Sequence, residues 1–107
     1  MYRSTVEVNK IARRAVKLLR NHIILKAGYL FGSHVSGKPH KNSDIDLAFF
    51  SPNVNRMGIE EKISLIAKVG EQVSSDAEIH LYSDRCLKDA RPTNFYGFIL
   101  KTGKKIV

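Results

Sequence analysis

The chain has 107 residues, 43% apolar and 26% charged, a size for one domain whose core buries roughly 65% of the unfolded surface. Eighteen Lys and Arg against ten Asp and Glu leave a net charge of +8, which favours anionic partners: nucleotides, nucleic acid or an acidic surface. No apolar run approaches the ~20 residues of a membrane span, and the first residues carry no apolar signal segment, so a cytoplasmic protein without a membrane partner is expected. The one cysteine, Cys86, excludes an internal disulfide and a thiolate metal cage.

Ser4-Thr5-Val6-Glu7 reads as a capping box, in which Ser4 and Glu7 satisfy backbone amides at a helix start. Val8, Ile11, Ala12, Ala15, Leu18 and Leu19 then recur at helical spacing to about Asn21. The opposite face carries Lys10, Arg13, Arg14, Lys17 and Arg20. Such a stripe is first a solvated face and only second a docking surface for phosphate or acid. Residues 25–31 read as a strand ending at Gly32-Ser33, and residues 44–50 as a second, stopped by Ser51-Pro52-Asn53. The loop between them is longer than a tight hairpin needs, a length often kept for a ligand. Ile59, Ile63, Ile66, Ala67, Gly70 and Val73 mark a second helix after Met57-Gly58. In residues 77–82, Ala77, Ile79 and Leu81 alternate with Glu78, His80 and Tyr82, a third strand. A helical turn over 84–89 is broken by Arg91-Pro92. Residues 94–101 form a last helix capped by Gly103, and 104–107 add an edge strand. The order α-β-β-α-β-α-(β) is that of an α/β (α+β) domain, a small mixed sheet flanked by helices, over residues 1–107.

The chemistry concentrates around the first hairpin. Side chains two apart on a strand share a face, so Asp44 and Asp46 point one way while Ile45 and Leu47 point into a core. Their α-carbons lie roughly 6.6 Å apart, within reach of one divalent cation or a pair. Like charges so placed call for something positive between them. Gly32 lets backbone amides approach a phosphate, and the Ser33 hydroxyl extends that nest. Gly37, Lys38, Lys41 and Ser43 add flexibility, charge and a second hydroxyl. A triphosphate with its Mg²⁺ fits between the two ends of this loop, as in two-metal phosphoryl or nucleotidyl transfer with metals about 3.5–4 Å apart. Such sites want a third carboxylate from a neighbouring strand. Glu78 has the right parity, His80 shares its face, and Asp76 lies before the strand. His34 and His40 read as solvated loop residues. Tyr29, Phe31, Phe49 and Phe50 read as core, and Phe95, Tyr96 and Phe98 as a patch for a partner.

Gly32-Ser33, Gly37 and Ser43-Asp44-Ile45-Asp46-Leu47 together resemble the signature of polymerase-β-type nucleotidyltransferases, and more narrowly the minimal nucleotidyltransferases, stand-alone domains of about this length. The resemblance runs over most of the chain, from the leading helix to a tail of the family's kind over residues 99–107, with no insertion between Gly32 and Asp46. It implies the nucleotidyltransferase fold, with Gly32 and Ser33 holding the β- and γ-phosphates and Asp44, Asp46 and Glu78 coordinating Mg²⁺. The implied reaction moves NMP, most often AMP from ATP, onto a hydroxyl and releases pyrophosphate. Domains of this kind often pair with a small helical HEPN-type protein and act as its antitoxin, by contact or by adenylylation. Three departures stand out. His34, Val35 and Ser36 occupy positions where the family often has arginines, the third carboxylate is Glu rather than Asp, and no second domain walls the cleft.

The expectation is therefore a Mg²⁺-dependent nucleotidyltransferase acting on a hydroxyl of a protein partner. The alternatives are a binding module that neutralises its partner by contact, and a transferase acting on RNA or a small molecule. A one-sided cleft in so short a chain is expected to be completed by a second copy or a hetero-oligomeric partner. Nucleic acid is the less favoured partner.

Overall fold

The computed structural model describes residues 5–32, 45–74 and 76–107. Helix α1 (Thr5–Arg20) and strand β1 (Ala27–Phe31) lead into β2 (Ile45–Ser51), α2 (Ile59–Val73) and β3 (Ala77–Ser83). Helix α3 (Phe95–Thr102) and the two-residue strand β4 (Lys104–Lys105) complete the order, with 3-10 turns at Pro52–Arg56 and Asp84–Leu87. The sheet runs β3-β2-β1-β4. Strand β1 is antiparallel to both β2 and β4, whereas β2 and β3 are parallel. A parallel pair needs a crossover, and α2 supplies it. The sheet is mixed, as expected.

Alternation along the strands sorts the core into two layers. Ile45, Leu47 and Phe49 of β2, Ile79 and Leu81 of β3 and Leu30 of β1 face α1 and α2, meeting Val8, Ala12, Leu19, Leu65 and Val69. The other face carries Ala27, Phe31, Ala48 and Phe50, covered by Ile99 of α3 with Tyr29, Tyr82 and Tyr96. Strand β2 is thus buried on both faces through its middle, and its side chains there are apolar for that reason. Among the described residues, no helix is long and apolar enough to cross a membrane.

Several sequence readings shift. Strand β1 begins at Ala27 rather than 25, although Lys26 N–H still donates to the Phe50 carbonyl at 2.8 Å. Strand β2 continues through Ser51, whose buried hydroxyl accepts from Asn53 N–H and starts the 3-10 turn. Helix α2 buries a different stripe from the one its isoleucines suggested. Leu65 and Val69 are inside, while Ile59 and Ile63 are 78% and 60% exposed. At 100° per residue Leu65 and Val69 are centred roughly 120° from the 59-63-70 stripe, and Ile66 and Val73 of the expected set lie between the two and pack against the core. The pairing of β4 stops at Lys105, and the amides of Ile106 and Val107 both reach the Gly28 carbonyl instead. Residues 1–4 lie outside the described residues, and with them Ser4 of the expected capping box.

Helix α3 matters for the site because it roofs the second face. Asn94 caps it: its Oδ1 accepts from Gly97 N–H at 2.9 Å and Arg91 N–H at 3.1 Å, and its Nδ2 donates to the Asp89 carbonyl. Gly97 is required where α3 crosses the preceding turn, since a Cβ there would lie 1.7 Å from the Arg91 carbonyl oxygen. Replacing Asn94 by Ala is expected to cost about 1–2 kcal/mol. Urea unfolding checks this: the midpoint falls while the slope stays the same.

Candidate active site

The site lies at the end of the sheet where β1 leaves and β2 enters. Phe31 pairs with Asp46 across the antiparallel ladder, and Asp46 pairs with Glu78 across the parallel one. Register partners share a face, so Asp46 stands between Phe31 on one side and Glu78 on the other, on the α3 side of the sheet. One register step further, Ala48 lies opposite His80. Donor atoms of Asp46, Glu78 and His80 all lie within 4.8 Å of one another. The imidazole Nε2 is 3.9 Å from Asp46 Oδ1 and 3.9 Å from Glu78 Oε1.

Gly32 closes the site from the β1 end. Its φ is +85°, the left-handed region that glycine favours, and a Cβ built there would lie 2.4 Å from Asp46 Oδ2. The Asp46 carboxylate therefore occupies the space a side chain at position 32 would need. Sequence reasoning assigned Gly32 to phosphate approach. The structure adds a second reason for glycine: it seats the carboxylate.

Aromatic rings wall the other side. His80 stacks on Tyr82 with centroids 6.2 Å apart and planes 9° apart, and its ring lies 5.6 Å from Phe31. Phe95 meets both Phe31 and Tyr82 edge-on, at 5.9 and 6.4 Å. Burial, followed by the negative charge of Cys86 and Glu78, pushes the Tyr82 phenol above its ordinary value of 10.0, so the ring stays neutral beside the carboxylates. The α3 aromatics, expected as a patch for a partner, divide. Tyr96 packs on Phe50 and Tyr82, Phe98 stays about half exposed, and Phe95 forms part of this wall. Placing Phe95 there required knowing that α3 returns over β1, which no local pattern in the helix encodes.

Of the residues singled out from sequence, Gly32, Asp46 and Glu78 come together, with His80 beside them. Asp76 lies just before β3, and its carbonyl accepts from Ile45 N–H, which ties the start of β3 to β2. Ser33, His34, Gly37, Lys38, His40, Lys41, Ser43 and Asp44 lie outside the described residues. The basic stripe of α1 is exposed, as its charge suggests. Arg13, Lys17 and Arg20 line a cleft of about 460 Å³ with Ile106, and Arg13, Lys104 and Lys105 line one of about 200 Å³ beside it. Both involve α1, across the sheet from the carboxylates.

A family model described as polymerase beta, nucleotidyltransferase, matches residues 13–107, which take in every strand and the whole candidate site. The chain belongs to this nucleotidyltransferase family. Its fold is shared with a toxin–antitoxin crystal structure containing AMP-PNP, at a TM-score of 0.60 and 26% identity over 88% of this chain and 70% of that one. A tyrosine-to-alanine variant of a toxin–antitoxin containing MntA superposes at a TM-score of 0.58 with 25% identity, over 89% of this chain and 70% of that one. The protein adenylyltransferase MntA of Shewanella oneidensis is 39% identical over 56 residues, 48% of this chain. The matched segment spans only 40% of that protein's length. These likenesses bear out the resemblance to minimal nucleotidyltransferases that the hairpin motif carries.

Proposed function

We propose that this domain is a divalent-metal-dependent nucleotidyltransferase that moves AMP from ATP to a hydroxyl of a protein partner. It would serve as the antitoxin of a pair with a HEPN-type helical protein, in a cytoplasmic setting. One observation carries the reading: Asp46 and Glu78 converge from neighbouring strands, with Gly32 shaped around the Asp46 carboxylate. Two carboxylates held this close repel unless a cation lies between them, and oxygen donors of this type suit a hard divalent ion. The residues present fit the metal. Asp46 and Glu78 would hold Mg²⁺, with Asp44 joining them on the strength of its two-residue spacing. When bound, the cations neutralise the triphosphate and the charge that builds on the leaving pyrophosphate.

The chain's own groups have distinct tasks. Gly32 and Ser33 would present amides and a hydroxyl to the β- and γ-phosphates, and Gly37, Lys38, Lys41 and Ser43 would close on the same anion. Glu78 is the more exposed carboxylate, at 55% against 24% for Asp46, and is the one an arriving acceptor would meet. It would orient the acceptor hydroxyl and receive its proton as the oxygen attacks the α-phosphorus. The bond from that phosphorus to the bridging oxygen breaks, and pyrophosphate leaves. A partner subunit or a second copy would complete the cleft around the acceptor.

Contact neutralisation is the second reading, favoured by His34, Val35 and Ser36 where the resemblance leads one to expect arginines. Transfer to RNA is disfavoured by placement, since the basic clefts involve α1 on the far face of the sheet. The deciding measurement is calorimetric ATP binding with Mg²⁺ and with EDTA, followed by transfer from ATP labelled at the α- or γ-phosphate to a HEPN-type partner. Metal-dependent binding and partner labelling by the α-label alone are expected. Neutralisation of the partner without ATP, with no label transferred, would replace the enzyme reading by the contact one.

A further inference from the structure

We propose that the metal site includes a nitrogen ligand, the Nε2 of His80, and that it therefore prefers Mn²⁺ and the later first-row divalent cations to Mg²⁺. The inference rests on the reading of Asp46 and Glu78 as metal ligands and goes beyond it. A catalytic carboxylate site for Mg²⁺ is built from oxygens, because Mg²⁺ is hard and keeps much of its water. Imidazole suits Fe²⁺, Ni²⁺, Cu²⁺ and Zn²⁺, and the affinity of a mixed nitrogen and oxygen site rises along the first row from Mn²⁺ onward.

Three features of His80 support a ligand role. The first is placement: one atom, Nε2, is equally far from an Asp46 oxygen and a Glu78 oxygen, at 3.9 Å each. That exceeds the roughly 2.7–2.9 Å of a charge-assisted hydrogen bond. Ligand atoms that share one cation at about 2.0–2.2 Å lie roughly 3–4 Å from each other. The second is room. His80 lies opposite Ala48, the smallest side chain on that face of β2, so the imidazole can lean across the strand toward Asp46, one diagonal step away. The third is orientation. The ring lies between Phe31 and Tyr82, and packing on both limits how far its plane can turn away from the two acids. A histidine that served only to pair with the two acids would close to hydrogen-bond distance on one of them.

The test uses Mn²⁺ alone, without nucleotide, so that every nitrogen near the ion belongs to the protein. Electron spin-echo envelope modulation of the Mn²⁺ complex is expected to show ¹⁴N coupling in the wild type and none in His80→Gln. Competition titrations are expected to show the Mn²⁺-over-Mg²⁺ affinity ratio falling at least about 10-fold in that variant. Mn²⁺ bound without nitrogen coupling, or coupling that survives in His80→Gln, would overturn the proposal and leave the carboxylate site standing. Failure of the wild type to bind Mn²⁺ at all would overturn both. The wild-type spectrum does not depend on how well the variant folds.

Discussion

Asp46→Asn is expected to lower nucleotidyl transfer by roughly 10³-fold, about 4 kcal/mol of transition-state stabilisation, and to abolish the metal dependence of ATP binding. The substitution keeps the shape of the side chain and removes only its charge. Asp46 sits between Phe31 and Glu78 in the ladder, so no other described carboxylate can take its position. Circular dichroism and a thermal melt of the metal-free variant check that the fold is intact, so that the loss is read as chemistry. An Asp46→Asn protein that keeps a tenth of wild-type transfer would show that the carboxylate pair is structural.

The sequence made much of this legible, and for identifiable reasons. The alternation of Glu78, His80 and Tyr82 with Ile79 and Leu81 correctly put the polar set on one face, because β3 has one helix-covered face and one face open at this end. The parity of Asp46 followed from Ile45 and Leu47, both fully buried. Helix α2 was misread because its most apolar stripe is not its buried one. Ile59 and Ile63 are exposed while Ile66 and Val73 of the same apolar set pack against the core, and hydrophobicity alone does not say which part of a broad apolar face meets the sheet. The aromatic wall was missed for a topological reason. Phe31, His80, Tyr82 and Phe95 come from three elements, and only the return of α3 over β1 gathers them. His80 was placed on the right face, but its equal distance from two carboxylates depends on the register of β2 with β3, which no single-strand pattern contains.

Gly32→Ala should damage stability and metal binding together, and the coupling is what makes it informative. Alanine at φ +85° costs about 1–2 kcal/mol for the left-handed backbone alone. The new methyl would also meet Asp46 Oδ2 at 2.4 Å and its Cγ at 3.4 Å, so the carboxylate must turn away or β1 must separate from β2. A displacement on the order of 1 Å in a positioned catalytic group costs about 10²-fold in rate. We therefore expect a lower thermal midpoint, Mn²⁺ and Mg²⁺ binding weakened at least about 10-fold in the protein that remains folded, and transfer reduced about 10²-fold. Gly70→Ala is the matched control. Its Cβ would meet nothing within 4 Å inside α2, and the change should stabilise the helix by about 0.5–1 kcal/mol while leaving metal affinity alone. If Gly32→Ala lowers the midpoint but binds metal like the wild type, the glycine serves only the turn. If affinity falls with it, one residue both lets the chain leave the sheet and seats the carboxylate on which the chemistry depends.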